Sequence, residues 1–366
     1  LKILHLLPTA KLGGAEKVVL DLSKKQQQQG DKVMIICAGE PLASLYRSHN
    51  IEVVVINLMS WSLKTFNTIQ HYIGQEAFDV LHAHDLRASV YVALLKKSLK
   101  RKKVSHIHSS YQWLAGINIF KIIDRIIRNR FNVSIACSNN VYNYYLQYNP
   151  SGKATLRALP NAFDFDQLKT FEGKEKIPNP LSDQLSENDF VFGYIGSLYP
   201  IKRVDNLIRA FAHLCKFYKA SNAKLVIVGD GECALDLKNL VKQLSIQEQV
   251  LFTGHQQAPL QYLYYFNVAA LFSENEGLPL SILEAMAMRK IVVTTQIAGL
   301  RELIRDEENG YFLKENYSIE GAAELLNKIM MNYEELDDIK ANAYQTIEEH
   351  FNMDNYIIRL NQIYQQ

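Results

Sequence analysis

The sequence predicts an α/β protein built from two doubly wound parallel-sheet domains, on three observations. At 366 residues the chain exceeds one ordinary core and fits about two domains. Short β-branched runs alternate with helix-length segments, the pattern of strand–helix–strand units with helices on both sheet faces. Between two such series, residues 171–189 hold Glu172-Gly173-Lys174-Glu175-Lys176, Pro178, Pro180 and Ser182-Asp183. That stretch has neither the helical nor the strand period and reads as a linker.

In the first domain, residues 1–170, strands are expected at 3–7, 32–38, 52–56, 80–82, 103–108 and 133–137. The opening Lys2-Ile3-Leu4-His5-Leu6-Leu7 runs straight into Pro8, so it reads as a first strand and not as a targeting leader. Gly13-Gly14 follows, where the missing side chains let backbone approach a ligand and a helix opens at Ala15. In the second domain, residues 190–350, strands are expected at 190–195, 224–228, 249–253, 268–272 and 291–294. Sheets of this kind bind ligands in the crevice beyond their strand ends.

Composition narrows the class. With 48% hydrophobic and 21% charged residues the chain is globular rather than disordered. No apolar run nears the roughly 20 residues that cross a bilayer. Cys37, Cys137, Cys215 and Cys233 form no Cys-x-x-Cys pair, as expected of a reduced, cytoplasmic protein without structural zinc. The net charge of +2 hides an asymmetry: residues 1–170 carry 22 basic against 11 acidic side chains, the remainder 18 against 27. The basic half favours an anionic surface.

Two segments carry that charge. Lys96, Lys97, Lys100, Arg101, Lys102 and Lys103 cluster within residues 96–103. Residues 120–131 then place Ile119, Ile122, Ile123, Ile126 and Ile127 on one helical face, with Lys121, Arg125 and Arg128 opposite. This suits a helix lying in a membrane interface on the inner face of the cell membrane. It equally suits a helix packed on the sheet with a solvated basic face. Nucleic acid is not expected, because no recognised reader motif accompanies the charge.

The sharpest chemistry lies in residues 273–287, Ser-Glu-Asn-Glu-Gly-Leu-Pro-Leu-Ser-Ile-Leu-Glu-Ala-Met-Ala. A strand ends at Phe272, a glycine turn follows, and Pro279 stands where a helix should begin. The amides of such a helix start suit a phosphate. Glu284, one turn in, leans back toward that end, and Glu276 reaches it from the preceding loop. One glutamate alone would be a surface residue beside an ordinary cap; two bracketing a Gly-Leu-Pro turn favour function.

This stretch resembles the motif of family 4 glycosyltransferases, Glu-x7-Glu before a Leu-Glu-Ala-Met-Ala helix. Gly13-Gly14-Ala15-Glu16 is similar to that family's N-terminal glycine loop, residues 159–164 to its Pro-Asn-Gly-Val-Asp segment, and residues 196–203 to its Gly-Arg-Leu-x-x-x-Lys-Gly segment. The resemblance spans essentially the whole chain. It implies the GT-B fold, with an acceptor domain, a nucleotide-sugar domain and a final helix, residues 351–366, crossing back to the first. It implies retaining, metal-independent transfer from a UDP- or GDP-linked sugar to a glycan or lipid-linked acceptor in cell-envelope polysaccharide synthesis, with no cofactor.

Carried over residue by residue, the resemblance puts Gly13, Gly14, Lys202, Gly277, Leu278, Leu280, Ser281 and Glu284 on the donor, Glu284 at its ribose. Glu276 falls on the donor sugar and His108 beside the reacting centre, with His82 and His84, also at a strand end, its competitors. Lys202 has a physical reason, since a departing diphosphate gains negative charge. The family's arginine is Ser197 here, and Arg203 offers a second positive charge nearby.

Two short matches point elsewhere. Asp164-Phe165-Asp166 is an Asp-x-Asp, a metal-binding signature of the other major glycosyltransferase fold. Gly229-Asp230-Gly231-Glu232-Cys233-Ala234 fits a dinucleotide fingerprint, although the family carries a Gly-Asp-Gly turn at this place. The alternatives are a nucleotide-sugar epimerase, since some share this two-domain fold, an idle scaffold, at which Ser197 hints, and, from the fingerprint, a dinucleotide-dependent oxidoreductase.

Overall fold

The computed structural model describes residues 1–95, 101–116, 118–149, 155–171, 181 and 183–365. They form two compact units, Leu1–Asp164 with Met353–Gln366, and Phe165–Asn352.

The first unit holds a parallel sheet of β1 (Lys2–Leu6), β2 (Lys32–Cys37), β3 (Glu52–Val55), β4 (Val80–His84), β5 (Lys102–Ile107), β6 (Val133–Ala136) and β7 (Leu156–Ala158). Its order is β3-β2-β1-β4-β5-β6-β7, so the winding reverses between β1 and β4. Helices α1 (Gly14–Gln28), α2 (Glu40–Ser48), α3 (Leu63–Gln75), α4 (Asp85–Leu94), α5 (Ile119–Arg128) and α6 (Asn139–Tyr148) connect the strands. Ser62, Asn118 and Ser138 cap α3, α5 and α6 by accepting backbone N–H bonds of the first turn. β1, β2 and β4 are buried almost throughout, as helices on both faces require.

The C-terminal helix Met353–Gln365 belongs to this unit. Its Met353, Tyr356, Ile357 and Leu360 pack with Ile3, Leu22, Val80 and Val104. Lys25 of α1 ties it down, lying 3.0 Å from both Asp164 and Asp354. That buried pairing also sets the boundary: the unit ends at Asp164, not at residue 170. The next residue, Phe165, makes an edge contact with Tyr344 in the second unit.

The second unit holds β8 (Phe190–Ile195), β9 (Ala223–Val228), β10 (Val250–Gly254), β11 (Val268–Leu271), β12 (Ile291–Thr295) and β13 (Tyr311–Leu313), again parallel. The order β10-β9-β8-β11-β12-β13 reverses between β8 and β11. Its helices are α7 (Val204–Phe217), α8 (Ala234–Gln243), α9 (Pro259–Leu263), α10 (Leu280–Ala287), α11 (Ala298–Arg301), α12 (Ile319–Met331) and α13 (Asp337–His350).

Several expectations shift. β7 and β13 were not expected; each is a three-residue strand at a sheet edge, too short to show a period. Helix α1 opens at Gly14 rather than Ala15, and Pro279 is the N-cap of α10 rather than its first residue. Of the linker 171–189, residues 172–180 and 182 lie outside the described residues.

The basic segments differ most. Lys96, Lys97 and Lys100 lie outside the described residues. Lys103 is buried, its Nζ donating to the Leu95 carbonyl, and Arg101 is bonded to the carbonyls of Ile73 and Glu76. In α5, Arg128 turns inward onto Asp124 at 2.7 Å, and Ile127 is buried. The outward face is instead apolar, with Ile119, Phe120, Ile122 and Ile126 exposed beside Arg125. Burying the Arg128–Asp124 pair against Tyr145 costs less than burying either charge alone, and this rotates the isoleucines outward. Among the described residues no helix is long and apolar enough to cross a membrane.

Candidate functional site

In the second unit the loops after β8 and β11 meet where the strand order reverses, the place at which such sheets bind ligands. The Glu274 amide donates to the Ile201 carbonyl at 2.9 Å and joins the loops. Lys202 Nζ donates to Glu276 Oε1 at 2.6 Å, and Ser273 Oγ donates to the same oxygen at 2.7 Å. Both members of the pair are mostly shielded, at 21% and 10% side-chain exposure, so their charges interact more strongly than at an open surface. Beside them α10 begins. The amides of Leu280 and Ser281 have no acceptor within the helix by their position, and Gly277 and Leu278 lead into them, buried. Glu284 sits one turn further, 5% exposed.

Arg203 caps α7 in the left-handed region, φ 48°. Its guanidinium donates to Glu274 at 2.6 Å and to Asp205 at 3.3 Å, and those carboxylates hold its pKa above the ordinary arginine range. It thus stands in the same loop pair as Lys202, neutralised by its own acids. Ser197 contributes its carbonyl, which accepts from the Tyr194 hydroxyl at 2.8 Å.

The two short matches find local explanations. A side chain on Gly229 or Gly231 would strike the backbone of Gly196 or Leu198. Those glycines let one protein loop lie on another, with Leu198 N donating to the Asp230 carbonyl at 3.0 Å. Asp164 faces Lys25, whereas Asp166 faces Lys169 at 2.6 Å. The two carboxylates thus engage separate lysines.

In the first unit, Gly13 is the N-cap of α1, and Glu16 reaches back to its amide at 3.0 Å. Burial raises the Glu16 pKa. A Cβ on Gly14 would meet nothing within 4 Å, so backbone there is open to approach. At the β1–β4 switch point stand five histidines. His82-Ala83-His84 and His106-Ile107-His108 alternate along adjacent strands, so their rings share one sheet face with His5 of β1. His106 and His108 stack with centroids 4.1 Å apart. Asp85, at φ 63°, accepts from the Tyr111 hydroxyl, and its charge acts on both His108 and Glu16.

Burial pushes the His5 imidazole down to about 4, and His82, His84 and His106 well below the ordinary value. His108 is lowered by burial and partly restored by Asp85. Such groups stabilise the fold fully above the unfolded pKa of 6.5. That stability is lost as pH falls toward the folded pKa, because only the unfolded chain takes up protons in this window. For His5 alone the loss between pH 6.5 and 4 amounts to roughly 3 kcal/mol. The first unit should therefore melt markedly lower at pH 5 than at pH 7.5, which calorimetric scans would show. Equal melting temperatures would contradict the buried array.

The structure thus gathers Lys202, Arg203, Glu276, Gly277, Leu278, Leu280, Ser281 and Glu284 in one unit, and Gly13, Gly14 and His108 in the other. Sequence reasoning missed Ser273, whose position three residues before Glu276 was the available signal. It also missed Gly299 of α11, where a Cβ would lie 2.3 Å from the Gly277 carbonyl. His5 and His106 were missed too, although the two His-x-His repeats pointed to a shared face.

Two family models cover most of the chain. "Glycosyltransferase Family 4" matches residues 12–167 and "Glycosyl transferases group 1" matches residues 178–346. The N-acetyl-alpha-D-glucosaminyl L-malate synthase of Bacillus anthracis is 24% identical over 96% of this chain and 94% of its own length. An Escherichia coli UDP-Gal:alpha-D-GlcNAc-diphosphoundecaprenol alpha-1,3-galactosyltransferase is 22% identical over 86% of this chain and 84% of its own. The crystal structure of Anabaena HepE in complex with UDP and glucose aligns with a TM-score of 0.85 at 21% identity, covering 99% of this chain and 98% of that one. That likeness shows the fold, GT-B, with two Rossmann-like halves.

Proposed function

Because the chain belongs to glycosyltransferase family 4, we propose that it moves a hexose-type sugar from a UDP-linked donor to a glycan or lipid-linked cell-envelope acceptor, retaining the anomeric configuration and using no metal. The observation that carries this reading is the Lys202–Glu276 pair at the switch point of the second unit, beside the open amides of α10. Lys202 and the Leu280 and Ser281 amides stabilise the departing diphosphate, Glu276 holds donor-sugar hydroxyls, and Glu284 holds the ribose. By resemblance to the family, Gly13 and Gly14 are assigned to the donor and His108 to the reacting centre. The donor class is supported by the names of the Escherichia coli relative and of the HepE complex. The acceptor class is supported by the diphosphoundecaprenol substrate in that relative's name.

The test is a panel of UDP-sugars incubated with and without undecaprenyl-diphosphate glycans, each with and without excess EDTA. Acceptor-dependent release of UDP that survives EDTA is the expected result. Donor isomerised without acceptor would make the protein an epimerase. An EDTA-silenced enzyme restored by manganese would overturn the assignment of leaving-group stabilisation to Lys202.

The same reading places the protein at an anionic membrane face. The support is the outward Ile119, Phe120, Ile122 and Ile126 of α5 with Arg125 beside them, within the basic half of the chain. Each basic side chain at such a surface contributes about 1 kcal/mol, and the attraction is screened beyond roughly 10 Å at 0.1 M salt. Vesicles containing phosphatidylglycerol should sediment the protein at low salt and release it at high salt. Ile122→Ser with Ile126→Ser should weaken binding about tenfold or more. Indifference to these vesicles at low salt would favour a soluble glycan acceptor.

A further inference from the structure

The five histidines, four of them buried and His108 half-buried, include a continuous hydrogen-bonded chain that ends on His108. Gln26 Oε1 lies 2.9 Å from His5 Nε2, His5 Nδ1 lies 2.9 Å from His84 Nε2, and His84 Nδ1 lies 2.9 Å from His108 Nε2. A side branch leaves the same carboxamide: Gln26 Nε2 donates to the Tyr364 hydroxyl at 3.3 Å, which lies 2.7 Å from His82 Nδ1. His5, His84 and Gln26 are fully buried.

The donor and acceptor inventory fixes the direction of the chain. A neutral imidazole has one N–H and one lone pair, and burial keeps these rings neutral. With the Gln26 oxygen toward His5, His5 must donate from Nε2 and accept at Nδ1. His84 then donates from Nε2 and accepts at Nδ1, which receives the Nε2 proton of His108. The Nδ1 lone pair of His108 is left available. The Gln26 N–H toward Tyr364 agrees, since that hydroxyl then donates to His82.

The same rings offer two trios, His5–His82–His84 and His84–His106–His108, whose nitrogens lie within 4.8 Å of one another. In each trio one pair is already in direct contact at 2.9 Å, shorter than the separation of two nitrogens sharing an ion at about 2.0–2.1 Å each in tetrahedral geometry. Stacked rings also do not converge on a common centre. The geometry therefore suits proton-ordered contact rather than coordination.

We propose that His84, backed by His5 and Gln26, is a positioning residue that orients the His108 ring and presents its Nδ1 as a hydrogen-bond acceptor to the reacting sugars. This rests on the reading of His108 as a residue of the reacting centre. His84 touches neither sugar. It acts through His108, and its own orientation is set by residues of β1 and α1.

Ring-nitrogen NMR of the full chain labelled with 15N-histidine, with signals assigned through His108→Gln, tests the chain without any turnover. The expected result is a single neutral His108 form protonated on Nε2. His84→Leu should average that signal and lower kcat about 10- to 100-fold, with KM nearly unchanged, as misorientation at a reacting centre does. His84→Asn, whose Oδ1 can replace the Nδ1 acceptor, should return kcat to within about threefold of wild type. Tyr364→Phe, which cuts only the side branch, should leave the His108 signals in place. Should His84→Leu fail to fold, Gln26→Leu carries the same test from the far end.

A His108 proton found on Nδ1, or a folded His84→Leu with wild-type kcat and unchanged His108 signals, would overturn the proposal. If His108→Ala itself leaves transfer intact, the role of His108 in catalysis falls instead, and the ring signals still decide whether the chain exists.

Discussion

Lys202→Met is expected to lower kcat by about 100- to 1000-fold, the usual cost of removing one preorganised charge stabiliser from a transition state. The lysine is poised for this role. Its Nζ is held by Glu276 at 2.6 Å in a shielded loop, so its charge is already placed when the diphosphate begins to depart. A diphosphate leaving group gains charge as the glycosidic bond breaks, so the lysine matters more in the transition state than in the ground state. The kcat loss should therefore exceed the rise in donor KM. Methionine keeps most of the stem and its packing. Steady-state kinetics with the best donor of the panel checks this, and a kcat within about threefold of wild type would remove Lys202 from the chemistry.

The two glutamates should separate by what each variant loses. Glu276→Ala is expected to remove most transfer, about 100-fold or more, while leaving UDP affinity unchanged or slightly improved, because Lys202 loses the carboxylate that competes with the diphosphate. Glu284→Ala should instead weaken UDP itself by roughly 1.5–3 kcal/mol, the worth of a hydrogen bond to a charged group. UDP titration calorimetry on both variants, with melting temperatures as a folding control, distinguishes them. Parallel loss of UDP affinity in both would give Glu276 a structural role and not a sugar-binding one.

The two-sheet architecture was legible because parallel strands buried on both faces leave short runs rich in Val, Ile and Leu between helix-length segments. β7 and β13 were not, since three residues carry no period. The turn into α10 was legible because Glu276, Pro279 and Glu284 stand close in sequence and a helix start translates their spacing into geometry. The Lys202–Glu276 contact joins residues far apart in the chain and needs the β8–β11 adjacency, which no local pattern reports. The face of α5 was misread for a related reason. Helical periodicity sorts its isoleucines from its basic residues, but the burial of Arg128 is decided by Asp124 and Tyr145, the latter from another helix. Asp-x-Asp and Gly-x-Gly-x-x-Ala are chance matches for the opposite reason. Their spacing is local, whereas what Asp164, Gly229 and Gly231 actually meet is set by the tertiary fold.

Hydrogen exchange of the full chain with and without saturating UDP shows whether the loops after β8 and β11 hold a nucleoside diphosphate. Slowed exchange is expected for amides in residues 198–206 and 273–284, with the Leu280 and Ser281 amides among those protected. Lys202→Met should need a higher UDP concentration to reach the same protection, a smaller effect than its loss of kcat. Saturable UDP binding with protection confined to other segments, or no UDP binding at millimolar concentration, would contradict that placement of the diphosphate.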